Sequence, residues 1–134
     1  SNLLLLNKFG CDVTVCGPAT LVPGGITKMG AKLEMDFDKA IKDADVVMML
    51  RIQLERQKAG LFPSKEEYTH FYCLNKERLA LAKPDAIVLH PGPINRGVEI
   101  DGAIADGPQS KILEQVTNGL CIRMALLKLL TEEE

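Results

Sequence analysis

Short runs rich in β-branched and apolar residues alternate along this chain with helical segments, and that alternation limits the fold more than any other feature. "CDVTVCG" alternates in polarity and predicts a strand over Asp12–Cys16, stopped by Gly17-Pro18. "AKLEMD" predicts a second short strand. "DVVMML" is apolar almost throughout, as in a strand covered on both faces, and "AIVLH" predicts the next one. Helical stretches lie around them. "SNLLLLNKFG" reads as a short helix ended by Gly10, and "GGITKMG" as a short helix or turn. Asp36 caps a helix over Phe37–Ala44, whose Phe37, Ala40, Ile41 and Ala44 fall on one face. "NKERLALAK" is capped by Asn75 and stopped before Pro84. From Arg51 to Thr69 the pattern is polar and irregular, predicting a long loop or a broken helix, and long loops inside domains are usually functional or mobile. "GVEIDGAIADG" is loop or short helix, and "SKILEQVTNGLCIRMALLKLL" is a long C-terminal helix that would break, if anywhere, at Asn118-Gly119. Strands alternating with helices imply an α/β fold with a doubly wound parallel sheet.

The 134 residues fit one domain with a real core. A net charge of −2 gives no electrostatic reason to expect nucleic acid or an anionic membrane as partner, and no apolar run is long enough for a membrane span. The opening residues lack the pattern of a secretory signal, and the cytoplasm is the expected location. Cys11, Cys16, Cys73 and Cys121 form no C-x-x-C pair, so neither a disulfide framework nor a zinc site is expected. No G-x-G-x-x-G or phosphate-binding loop is present, and no cofactor or metal is expected. The last helix is apolar nearly all round, through Leu120, Ile122, Met124, Leu126, Leu127, Leu129 and Leu130. Such a helix is deeply buried or packs on something else. Together with a first helix that follows no strand, this suggests half of a larger protein.

In a parallel α/β sheet, ligands bind at the carboxyl ends of the strands. Two strand ends here carry unusual residues. In "VVMMLRIQLER", Arg51 offers a planar fork for a carboxylate, and Gln53 offers an amide on the same side of an extended chain. Glu55 is placed to hold the Arg51 guanidinium. A lone R-x-Q is more often a solvated loop with incidental ion pairs. In "AIVLHPGPINRGVEI", Pro91 and Pro93 lack N–H groups and end the strand's ladder, while Gly92 permits unusual backbone and close ligand approach. Carbonyls in so rigid a segment are free to accept from a substrate ammonium. A strand-terminating turn would explain either proline alone, and a histidine such as His90 at a strand end is more often a satisfied, partly buried side chain than a catalyst.

"LRIQLER", then "HPGPINRGVEI", then "NGLCIRMALLKLL", with the opening "SNLLLLNKFGCDVTVCGPATLVP", resembles the second domain of aspartate carbamoyltransferase catalytic chains, in order and spacing over essentially the whole sequence. The resemblance implies a three-layer Rossmann-like domain over residues 1–134, the aspartate-binding half of a two-domain carbamoyltransferase, lacking its first strand. It implies transfer of a carbamoyl group from carbamoyl phosphate to the α-amino group of L-aspartate, in pyrimidine biosynthesis. Arg51 and Gln53 would grip the aspartate carboxylates, with Glu55 orienting Arg51. The backbone at Gly92 and Pro93 would face the α-amino group, across a cis bond before Pro93. Arg56 and Glu99 would make interdomain contacts when the domains close, and Arg123 would serve a similar structural role. The family's carbamoyl-phosphate loop and catalytic histidine belong to the other domain, so no catalytic residue is expected here and the domain alone should be inactive. The family's catalytic chains form trimers, and regulatory or dihydroorotase-type subunits are left open as further partners. Ornithine carbamoyltransferase is the nearest rival, but it carries a His-Cys-Leu-Pro motif where this chain has "HPGP", and a Ser-Met-Gly loop not found here. A non-catalytic amino-acid-binding module is a rival of a different class.

Overall fold

The computed structural model describes residues 2–53 and 64–132. Helix α1 (Asn2–Lys8) leads into strand β1 (Thr14–Cys16), a 3-10 turn at Ile26–Met29, strand β2 (Lys32–Glu34), helix α2 (Phe37–Ile41) and strand β3 (Val46–Met48). Helices α3 (Lys65–Tyr72) and α4 (Lys76–Leu79), strand β4 (Ile87–Leu89), helix α5 (Gly102–Ala105) and helix α6 (Ile112–Thr131) follow. Every predicted strand is present, though each is three residues long. All pairing between them is parallel, β1 with β2 and β3 with β4.

The parallel sheet is therefore divided into two pairs. Among the described residues, β1 and β3 pair with no strand on their second edges. A cavity of about 240 Å³ lies between them, lined by Thr14–Cys16, Val46–Leu50, Ala40, Ala44, Tyr68 and Tyr72. This matches the expectation of a sheet lacking one strand. β3 is not covered on both faces as its apolar run predicts: Val47 is buried, whereas Val46 is 49% exposed, and just beyond the strand Leu50 is 59% exposed.

Local chemistry sets the helix ends. The Asp36 carboxylate accepts from the Asp38 and Lys39 N–H groups and starts α2. That helix stops at Ile41, short of the predicted Ala44, because Asp43 takes a left-handed φ of 57° and donates its N–H to the Leu81 carbonyl. The Asn75 side chain accepts from Arg78 N–H at 2.9 Å, as its cap position predicts. Helix α3 falls largely in the stretch predicted as a long loop or a broken helix. Ser64 starts it, accepting from Glu67 N–H at 3.0 Å. Helix α6 runs unbroken through Asn118-Gly119.

The core gathers Ile41, Val47, Met49, Leu74, Val88 and Ile100 around the β3–β4 pair. Leu74 is tied into it by backbone, donating to the Glu99 carbonyl at 2.9 Å and accepting from Asp101 N–H at 3.0 Å. Arg78 joins three elements: its guanidinium donates to Asp38 of α2 and to the His70 and Cys73 carbonyls at the end of α3. A cation there satisfies carbonyls that a helix leaves open. Helix α6 contacts β4 near its own start, but most of its length is exposed, with Leu129 at 70% and Leu130 at 81%.

Candidate functional site

Strands β3 and β4 run side by side, with Val46, Val47 and Met48 opposite Ile87, Val88 and Leu89. Parallel neighbours deliver their carboxyl ends to the same edge of the sheet. The ladder extends past β3, from Met49 N–H to the Leu89 carbonyl at 2.9 Å. Beyond it the two segments singled out in the sequence leave together. One carries Arg51 and Gln53, half-buried on either side of the buried Ile52. The other is His90–Pro93. Asn95 closes the gap between them, its side-chain amide donating to the Ile52 carbonyl at 3.1 Å.

The Gly92-Pro93 bond is cis, as the family resemblance implies. Gly92 has φ +67°, with nothing within 4 Å of the point where a Cβ would stand. Left-handed backbone, not crowding, reserves this position for glycine, and the space beside it is open to a ligand.

Behind this turn lies a buried polar pair. The side chains of His90 and Glu99 have no exposure, and His90 Nε2 stands 3.3 Å from Glu99 Oε1. His90 Nδ1 accepts from Gly92 N–H at 2.9 Å, and His90 N–H donates to the Gln115 side chain of α6 at 2.9 Å. Asn95 N–H donates to Glu99 Oε1 at 2.6 Å. Burial lowers the His90 pKa, partly opposed by the Glu99 charge, and His90 Nε2 makes no hydrogen bond among the described residues. The imidazole is neutral, since an Nδ1 that accepts from an amide cannot also carry a proton.

The sequence-predicted residues divide accordingly. Arg51, Gln53, Gly92 and Pro93 are brought to one edge of the β3–β4 pair. Glu55 and Arg56 lie outside the described residues. Glu99 is wholly buried and faces His90, so the expected interdomain contact would need its carboxylate to turn outward. Arg123 is exposed on α6, its guanidinium near Gly119 of the same helix. His90, Asn95 and Gln115 as a connected group were not read from the sequence. A His-x-Gly spacing at a strand end, with no N–H on the intervening proline, is the signal that could have found the first contact. Burial pushes the thiols of Cys16 and Cys73 up to about 11, so neither supplies a thiolate at neutral pH.

Residues 1–130 match the family described as aspartate/ornithine carbamoyltransferase, Asp/Orn binding domain. The chain belongs to that carbamoyltransferase family. It is 59% identical over 131 residues to the aspartate carbamoyltransferase catalytic subunit of Syntrophus aciditrophicus, covering 98% of this chain. It is 57% identical over all 134 residues to the corresponding subunit of Syntrophotalea carbinolica. In each case it spans 43% of the relative's length. Among solved structures, the ornithine carbamoyltransferase from Pyrococcus furiosus is similar at TM-score 0.78 and 29% identity, over 95% of this chain and 44% of that one. The ornithine carbamoyltransferase from Thermus thermophilus is similar at 0.81 and 25%, over 98% of this chain and 44% of that one.

Proposed function

We propose that this domain is the aspartate-binding half of an aspartate carbamoyltransferase, which transfers the carbamoyl group of carbamoyl phosphate to the α-amino nitrogen of L-aspartate and releases phosphate. The observation that carries the reading is the joining of Arg51 and Gln53 to the Gly92–Pro93 turn across the β3–β4 pair. Arg51 meets a carboxylate as a planar fork, Gln53 adds a donor, and the turn's carbonyls accept from the amine. In the reaction the lone pair of the neutral amine forms the new C–N bond, the carbamoyl C–O bond breaks toward phosphate, and the departing phosphate takes the amine's proton. No activated side-chain nucleophile is required, and the domain's part is to hold the amine against the carbamoyl carbon. The names of the relatives at 57–59% identity support aspartate as acceptor.

The donors for the departing phosphate belong to a second domain, so residues 1–134 alone are expected to show no transferase activity. The parent chain would act as a cytoplasmic homotrimer, with regulatory or dihydroorotase-type subunits as further candidates for partners. A second reading, ornithine as acceptor, is favoured by the names of the similar solved structures. The "HPGP" motif and an arginine placed for a second carboxylate weigh against it.

The deciding assay uses the parent chain with carbamoyl phosphate and either L-aspartate or L-ornithine. Turnover of aspartate alone is expected. Arg51→Ala should lower kcat/KM for aspartate about 10- to 100-fold, the value of a charge-assisted hydrogen bond. Turnover of ornithine, or an indifferent Arg51→Ala, would sink the aspartate reading.

A further inference from the structure

We infer that His90 is a positioning residue for the acceptor amine: its neutral imidazole, buried beside the Glu99 carboxylate, draws the Gly92 N–H inward, so that the Gly92–Pro93 turn presents its carbonyls to the substrate. This rests on the reading that the two strand ends bind the amine-bearing substrate.

The contacts form one connected path. Nδ1 accepts from Gly92 N–H at 2.9 Å, which places the ring proton on Nε2. Nε2 stands 3.3 Å from Glu99 Oε1 without a hydrogen bond between them, and that oxygen accepts from Asn95 N–H at 2.6 Å. The Asn95 side chain then reaches the Ile52 carbonyl, between Arg51 and Gln53. The carboxylate-gripping segment and the amine-facing turn are thereby referred to the same buried pair. Gln115 adds a third tie by accepting from His90 N–H at 2.9 Å. A side chain present only to fill the core would need none of these bonds. Groups that orient binding residues act by such contacts, and small misplacements at a reacting centre are costly.

The test compares the parent chain with His90→Leu and His90→Asn. Leucine fills the space but cannot accept from Gly92. Asparagine keeps an oxygen able to accept from the N–H two residues on, as in an Asx turn. His90→Leu is expected to raise the aspartate KM about tenfold while the KM for carbamoyl phosphate stays within about twofold, as expected for an effect on orientation at one substrate. His90→Asn should recover most of the difference. Gly92 amide exchange, read on the same proteins without substrate, should speed up in His90→Leu and stay slow in His90→Asn. An unchanged aspartate KM in His90→Leu, equal loss in both variants, or Gly92 exchange indifferent to the substitution would overturn the inference. If His90→Leu does not fold, fast Gly92 exchange in a folded His90→Asn would do so. A wild type that fails to use aspartate defeats the functional reading, and Gly92 exchange still judges the clamp.

Discussion

At the scale of single residues, the molecule sets one charged possibility aside. His90 is kept neutral because burial resists a charge more strongly than Glu99 attracts one. An unfolded histidine takes up its proton near 6.5, whereas the folded chain does so only at lower pH. The unfolded state therefore binds more protons in the window just below 6.5. The His90 contribution to stability is complete above that value and is lost as pH falls through the lower folded pKa. Urea midpoints at pH 7.5 and pH 5.5 should show a larger drop for the wild type than for His90→Asn, which has no imidazole to protonate. An equal drop would mean that other groups govern this range. The His90 contact was not read from the sequence: its His-x-Gly spacing is only a weak signal, and what decides it is the left-handed turn at Gly92 that aims the amide back at the ring. Gly92 itself was legible, since two prolines around one glycine leave the backbone few alternatives.

At the scale of elements, capping residues and strand periodicity were readable, and tertiary closure was not. Asp36 and Asn75 stand where the sequence placed them, because a cap is a local contest between side chain and backbone. Helix α3 lies largely in the stretch read as a long loop or a broken helix, and its start at Ser64-Lys65-Glu66-Glu67, a capping-box pattern, was not singled out because the stretch is polar with no clear apolar period. The end of α2 could not be read, since it depends on a hydrogen bond between Asp43 and distant Leu81. Arg78 belongs to this scale. It is 16% exposed and donates to α2 and to the last carbonyls of α3. A lysine has one compact head and cannot reach all three acceptors. Arg78→Lys is expected to cost about 1–3 kcal/mol in urea unfolding, the value of a lost bond or two to a charged group. A change below the error of the measurement would show that the three elements hold together without it.

At the scale of the whole molecule, the β–α alternation gave the fold class, and the division of the sheet into two pairs accounts for its one large deviation. The apolar α6 was read as deeply buried or packed on something else, and the first alternative does not hold, since its leucines are exposed. Leu130, 81% exposed, should tolerate Leu130→Lys with a change in unfolding free energy of this domain within about 0.5 kcal/mol. A larger loss would mean that α6 is held against the domain in solution. The open edges of β1 and β3 face one cleft, and each is only three residues long. A single extended segment laid between them can bond to both walls at once, so the two edges call for one shared strand and not for separate partners.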